Sequence, residues 1–469
     1  MKRQLASLLT AALMVGAVAA CGGGSGAGTD QAGSATVTTE PAPAPSLTST
    51  PLDVPLLDGV DPVAWLGERL FPLMAEAETD AVNPVYSPLS IYLAFALLSD
   101  GARGETAAQL AQALGGDAAS AKELANAIMT DYAKYAAGQE AGEGCQVTLE
   151  GSDGAGEAVD PWSAECTVTQ DPPVLNLANS LWADEAITLD QAFLADATDA
   201  YRAEVNNLDL QGDQAVPEIN AWVTDKTNGL IDQAVTQDDF NASTRLVLVN
   251  ALYFNSAWFQ PFWADQTTES PFTLASGEVI QVPTMHRDDR GPVRYIQQDD
   301  GTVGALLPYT GGGGDIIGRF GLLLVLPAGG VDSVTWDGTQ VKGWLGAMQE
   351  GDYIVNLDLP KWQADSGQAD LIPVFQALGV TDLFDKNTAN LTGVGQADGR
   401  LWCSRAAHQA VITVDEEGTE AAAVTLLIEE IVSMPQVFTV TLDRPFVYAI
   451  VDTETERPLF IGVVNDPRS

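Results

Sequence analysis

Basic side chains are scarce: 21 Lys and Arg stand against 64 Asp and Glu, a formal net charge of −43. Nucleic acid and anionic membrane surfaces would repel such a polyanion, so neither is expected as a partner. A basic partner remains conceivable, but acidity spread along the whole chain serves solubility first. Imidazole is scarcer still, with His286 and His408 the two histidines among 469 residues. A hydrolase needs a nucleophile with a base beside it, and the chain also lacks a Gly-x-Ser-x-Gly elbow. Four cysteines and two histidines without paired spacing argue against a zinc site. Gly311 to Gly314 is not followed by the Gly-Lys-Ser/Thr of a phosphate cradle, so it reads as a flexible loop. Paired glutamates such as Glu429-Glu430 carry no specific signal in so acidic a chain. No enzyme activity, metal or cofactor is expected.

What is present is material for one large core. Hydrophobic residues make up 46%, and neither Gly (44) nor Pro (25) is extreme, which points to a globular chain. Val63, Leu66, Leu70 and Leu73 fall on one helical face between Pro62 and Met74. Ser87-Pro88 starts a second helix, with proline suited to the first turn, and Ala107 to Leu114 reads as a third. A strand is expected over Val174 to Leu181, and strand-like runs dominate after Leu246, among them Gly321 to Leu326 and Tyr353 to Leu359. Helices gathered in the first half and strands in the second imply an α+β fold.

Lys2 and Arg3 precede an apolar run, Leu5 to Ala20, that is too short and small-sided for a comfortable membrane span and reads as an export signal over 1–20. Its end, Val18-Ala19-Ala20-Cys21, resembles a bacterial lipoprotein cleavage box, which would make Cys21 the lipid-modified N-terminus. Residues 21–55, opening on Gly22-Gly23-Gly24-Ser25-Gly26, are too poor in apolar surface to fold and read as a flexible tether. The body, 56–469, would then sit on the extracellular face of the membrane, held there only through its lipid; ordinary secretion is the alternative. Within it, 138–171 is acidic and glycine-rich and breaks the pattern as an insertion. In an oxidising compartment its Cys145 and Cys166 are expected to form a disulfide, leaving Cys403 as a small buried hydrophobe.

One segment stands out. After the alternating run Val411-Ile412-Thr413-Val414 comes Asp415-Glu416-Glu417-Gly418-Thr419-Glu420-Ala421-Ala422-Ala423-Val424-Thr425, and a further strand pattern follows at Phe438 to Leu442. Read with a period of two, Thr419, Ala421, Ala423, Thr425 and Leu427 share one uncharged face. Such a strand can slide between two others without burying charge. Local propensity alone favours a short Ala-rich helix with glutamates in its first turn, and the segment by itself leaves both readings open.

Motifs elsewhere bear on the choice. They are Asn83-Pro84-Val85-Tyr86-Ser87-Pro88-Leu89-Ser90-Ile91, Gly101-Ala102-Arg103-Gly104-Glu105-Thr106, Leu177-Ala178-Asn179-Ser180-Leu181-Trp182, and Ile219-Asn220-Ala221-Trp222-Val223 with Thr227-Asn228-Gly229. Leu248-Val249-Asn250-Ala251-Leu252-Tyr253-Phe254 with Trp258, Leu357-Asp358-Leu359-Pro360-Lys361, Asp443-Arg444-Pro445-Phe446 and Leu459-Phe460-Ile461-Gly462 follow in order. In sequence and spacing this set resembles the serpin family over nearly everything after about residue 60.

The resemblance implies three β-sheets, about nine helices and an exposed reactive loop, here 416–437. It implies a monomeric suicide substrate for a serine protease, with a cysteine protease as the second candidate class. Glu416, Glu417, Gly418, Thr419, Glu420, Ala421, Ala422 and Ala423 take the place of the hinge that enters the main sheet after cleavage. Sixteen residues on from Glu416, the spacing usual in inhibitory members, stands Val432, so the reactive bond is expected at Val432–Ser433. A slip of a residue or two would place it at Ile431 or Glu430. Valine there favours proteases with small apolar primary pockets, of the elastase class, and glutamate a glutamate-specific one; the expected target is elastase- or chymotrypsin-like. His408 is expected beneath the main sheet, hydrogen-bonded to groups such as Asn250 and Ser90, with Ser87 and Trp258 in the same sheet-opening network. The core-packing reading of Trp258 is equally good, since both roles bury it. His286 reads as an ordinary loop or strand residue. Val424 and Glu429 depart from the hinge ideal and are expected to slow insertion. The alternative function is a non-inhibitory binding or carrier module. Such relatives typically carry charge, bulk or proline in the hinge, whereas Gly418 to Thr425 has no proline and one charge, Glu420.

Overall fold

The computed structural model describes residues 59–77, 82–136, 172–241, 244–290, 293–311, 317–349, 353–419 and 436–468. The signal 1–20, the tether, Cys21, the insertion with Cys145 and Cys166, and the loop from Glu420 through Ala421, Ala422, Ala423, Val432 and Ser433 lie outside the described residues.

Eight α-helices are described: α1 Pro62–Ala77, α2 Pro88–Gly101, α3 Gly104–Leu114, α4 Ala118–Tyr132, α5 Gln191–Asp199, α6 Ala215–Lys226, α7 Gln340–Ala347 and α8 Leu371–Ala377. The centre of the helical half is α2. Leu89, Ile91, Leu93, Phe95, Leu97 and Leu98 are all buried, which is what a helix apolar all round requires. Its start is set locally: the Ser87 hydroxyl accepts the N–H of Ser90 at 3.1 Å, and Pro88 occupies the first turn. Helix α3 begins three residues before the expected Ala107 because Gly104, Glu105 and Thr106 carry no apolar periodicity, and it ends at Gly115, whose φ of 75° suits glycine.

Three large sheets and one two-stranded pair complete the α+β fold. In the main sheet, β1 (Val174–Asp184) pairs with β2 (Glu204–Leu208) and with β3 (Leu246–Ala257). A second sheet of four strands contains β4 (Thr268–Thr273), β5 (Val279–Arg290) and β6 (Tyr353–Pro360). Strands β7 (Trp362–Asp365), β8 (Cys403–Gln409), β9 (Val411–Val414) and the two-residue β10 (Gly418–Thr419) belong to the main sheet; β11 (Gln436–Thr441) is the outer strand of the second, in the order β11-β6-β5-β4. The third sheet runs Val85–Tyr86, Arg457–Val464, Phe446–Asp452, Ile317–Leu326, Val303–Thr310, Arg294–Gln297, and its strands are mostly buried.

What positions the site is the free edge of β3. Strand β8 follows it in parallel from Leu246 to Ala251, then the chain turns away as β9. At the other end Ser256 and Ala257 pair with β10. Among the described residues no strand pairs that edge over Leu252 to Asn255. Helix α6 covers the outer face of the sheet, with Ile219 and Val223 in one buried cluster with Trp182, Val247, Val249 and Val411.

Candidate functional site

The site is built where β9 ends. Asp415 folds the chain back on itself: its N–H donates to the Gly418 carbonyl at 3.1 Å, and its carboxylate accepts the N–H groups of Glu417 (2.9 Å) and Gly418 (3.3 Å). An aspartate bonding its own backbone two residues on is a turn former. Gly418 and Thr419 then run back as β10, with Thr419 opposite Val414 of β9 on one side and Ser256 of β3 on the other. At these two residues the backbone is strand, not the helix that local propensity favours. The sheet has two edges to satisfy there, and pairing with both outweighs a propensity of tenths of a kcal/mol.

Thr419 is 2% exposed, and its hydroxyl lies 2.6 Å from that of Tyr309. Tyr309 is buried in turn and stacks on Trp258, the rings 4.7 Å apart and 10° from parallel. Trp258 grips the turn from two sides: its indole N–H donates to the Asp415 carbonyl at 2.9 Å and its backbone N–H to the Glu417 carbonyl at 3.0 Å. The N–H of Phe262 donates to the Glu416 carbonyl at 2.8 Å. The Glu416 carboxylate is held by Lys361 Nζ at 2.6 Å and by the Thr267 hydroxyl at 2.8 Å. Partial burial works against that charge, but the bonds from Lys361 and Thr267 outweigh it and hold the carboxyl below its usual range. The hinge is thus seated, and its seat is made for an uncharged side chain.

Beneath it lies the second group. His408 and Asn250 are register partners on β8 and β3. His408 Nε2 accepts the Ser87 N–H at 3.1 Å, and burial pulls the imidazole down to about 3, so it is neutral and acts as an acceptor. The expected bonds from His408 to Asn250 and Ser90 are not made. Ser90 and Asn250 bond each other instead, hydroxyl to amide oxygen and amide N–H to the Ser90 carbonyl at 3.0 Å, while Asn250 also donates to Asn179 on β1. The reason is geometric: Ser87 precedes α2, so its N–H is not used by the helix and faces the sheet. Cys403 is fully buried and its thiol is pushed up to about 12 by burial, as suits an inert core residue.

Sequence reasoning did not single out Tyr309 or Thr267, and it quoted Lys361 only within a motif. They come from three other parts of the chain, and no local pattern marks them. Tyr309→Phe keeps the ring on Trp258 and removes the hydroxyl from Thr419. A buried hydroxyl left without its partner costs about 1–2 kcal/mol. Amide exchange at Gly418 and Thr419 is expected to rise roughly tenfold, with the melting midpoint of the body little changed; unchanged exchange would show that the hydroxyl does not hold the hinge.

The family model described as "Serpin (serine protease inhibitor)" matches residues 64–467. The chain belongs to the serpin family. A "Serine protease inhibitor" of Cyanea capillata is 30% identical over 394 residues, covering 82% of this chain and 92% of the relative. "Alpha-1-antiproteinase 2" of Equus caballus is 32% identical over 393 residues, 83% of each chain. Among solved structures, the thermophilic serpin Tengpin in its native state overlays with a TM-score of 0.68 at 25% identity, covering 90% of this chain and 97% of that one. Cleaved Serpin 42Da is also similar, at 26% identity, covering 86% of this chain and 97% of that one, with a TM-score of 0.67.

Proposed function

We propose that this serpin is inhibitory, a suicide substrate for an elastase- or chymotrypsin-like serine protease. The carrying observation is that Gly418 and Thr419 lie paired between β9 and β3, next to an edge of β3 that has no strand partner over Leu252 to Asn255 among the described residues. In this reading Gly418 and Thr419 are the first two residues of the strand that would complete the sheet. The inhibitors among the relatives support the same reading.

In this reading the serine of the protease attacks the carbonyl carbon of Val432. The Val432–Ser433 bond breaks, Ser433 leaves with a new amino group, and Val432 is held as an acyl ester on the enzyme. The freed segment continues β10 along β3, and the ester-bound protease is carried with it before water can cleave the ester. A cysteine protease would form a thioester by the same route. The tether and Cys21 would keep the inhibitor on the extracellular face of the membrane.

Mixing the chain with an elastase should give an adduct that survives denaturation in detergent. Clipped chain alone, even with the serpin in large excess, would favour the non-inhibitory carrier reading. Val432→Arg is expected to move the target to trypsin-like enzymes, with the elastase rate falling by about a hundredfold, the order of one misfit side chain in an apolar primary pocket. Unaltered preference would place the reactive bond elsewhere, at Ile431 or Glu430.

A further inference from the structure

Between the hinge seat and the edge of the second sheet runs a short arch, 262–268. Both its ends are tied down. The Phe262 N–H holds the Glu416 carbonyl at 2.8 Å, and the Thr267 hydroxyl holds the Glu416 carboxylate at 2.8 Å. Thr268 then opens β4, and its hydroxyl lies 2.8 Å from Nε2 of His286 on β5. A line of side chains continues from there across the sheet: His286 Nδ1 is 2.7 Å from Asp358 Oδ1 on β6, and Asp358 Oδ2 accepts the Thr441 hydroxyl of β11 at 2.7 Å. Rooted in both sheets, the arch leaves its middle, Trp263 to Gln266, exposed.

Trp263 is 37% exposed, the one tryptophan so open among the described residues. A lone exposed apolar side chain is ordinary; its surroundings are not. From Leu246 to His286 the chain has no lysine or arginine. The cations that pack against the arch are already engaged. Lys361 Nζ meets the Glu416 carboxylate at 2.6 Å, and Arg287 lies 4.4 Å over the Phe262 ring and donates to the Gln260 carbonyl. What stands open is an indole with two carboxylates near it in sequence, Asp265 on the arch and Glu269 on β4, both exposed. Pro271, also exposed, lies on the same outer strand and has no N–H to offer an added strand. A partner would meet this shoulder with side chains.

We infer that Trp263, Asp265 and Glu269 form a docking shoulder for the target protease, and that this target carries a surplus of lysine and arginine around its active-site cleft. Both ends of the arch hold Glu416, so an enzyme drawn to a loop rooted at that residue approaches across the shoulder. A guanidinium or ammonium laid on the indole face is attracted by the ring, most strongly for tryptophan, and the two carboxylates supply countercharge. The net charge of −43 acts the same way at longer range, steering a cationic enzyme toward the chain and repelling an anionic one. These residues belong neither to the reactive bond nor to the hinge. They set which protease is met quickly, not how it is trapped.

The inference rests on the inhibitory reading, and its test separates the two. Rates of adduct formation are compared for two elastase-type enzymes of the same apolar preference, one strongly basic and one acidic, at low salt (about 0.03 M) and high salt (about 0.3 M). With the basic enzyme the wild-type rate is expected to fall roughly tenfold as salt rises. Trp263→Ala lowers that rate about fivefold at both salts, and Trp263→Phe recovers part of it. Asp265→Lys with Glu269→Lys lowers it about tenfold at low salt and speeds the acidic enzyme. The number of inhibitor molecules consumed per enzyme stays at the wild-type value in each variant, a result that mere damage to the hinge seat would not give. Should the wild-type chain form no adduct with either enzyme, the inhibitory reading fails. Binding of the basic enzyme with its catalytic serine blocked, to wild type and to each variant, then still decides the shoulder. Equal rates, or equal binding of the blocked enzyme, in wild type, Trp263→Ala and the charge-reversed variant would overturn it.

Discussion

Thr419→Arg is expected to leave a folded chain that an elastase cuts and releases rather than one it is trapped by. Thr419 sits between β9 and β3, 2% exposed, with one hydroxyl for company. Its strand partners Val414 and Ser256 and its hydroxyl partner Tyr309 offer a guanidinium no carboxylate, and an unpaired buried charge costs several kcal/mol. The hinge would therefore leave its seat in the intact protein, and re-entry after cleavage would meet the same cost. A barrier raised by about 3 kcal/mol slows insertion roughly a hundredfold. Hydrolysis of the acyl ester then wins, and nearly every encounter ends in turnover. Two measurements check this: the number of inhibitor molecules consumed per enzyme inactivated, and amide exchange at Gly418 and Thr419 before any protease is added. A wild-type stoichiometry would show that the buried hinge position takes no part in trapping.

The second large effect concerns the energy released by cleavage. If the freed loop extends β10 along β3, about a dozen residues gain strand hydrogen bonds at roughly 1 kcal/mol net each, on the order of 10 kcal/mol before packing. For a body of this size that corresponds to a rise in melting midpoint of about 10 °C or more. Nicking with a small amount of protease and comparing calorimetric scans of nicked and intact chain measures it directly. Because the proposed stored strain would make the native state one held by a kinetic barrier, the scans should be run at several rates. Equal midpoints would mean that no strain is stored, and the proposed trap would then have nothing to drive it.

Much of this molecule is legible along the chain. Helix α2 follows from Ser87, Pro88 and an unbroken apolar run, because a capping hydroxyl, a proline in the first turn and burial all act within a few residues. Strands such as Tyr353–Pro360 follow from residue alternation, which is also local. The family follows from motifs whose order survives in one dimension. The hinge composition belongs to the same class: an uncharged face at every second residue can be counted without a structure.

Other features depend on pairings across hundreds of residues. Tyr309 reaches Thr419 and Lys361 reaches Glu416 because separate strands converge at the mouth of the main sheet, and nothing near either residue in sequence announces it. The same holds for His408, whose partner is the N–H of Ser87 rather than the amide of Asn250. Which neighbour a buried imidazole finds is decided by the direction of a free helix N–H, and that direction exists only after packing. The line from Thr268 through His286 and Asp358 to Thr441 is the extreme case, four residues of unremarkable type brought abreast by strand register. Composition and periodicity act through neighbours a few residues apart, so this protein's sequence by itself determined its elements, its family and the chemistry of its hinge. Register and layer contact are set by the whole chain closing on one core, so tertiary structure alone decided what holds that hinge and which side chains line up across the second sheet.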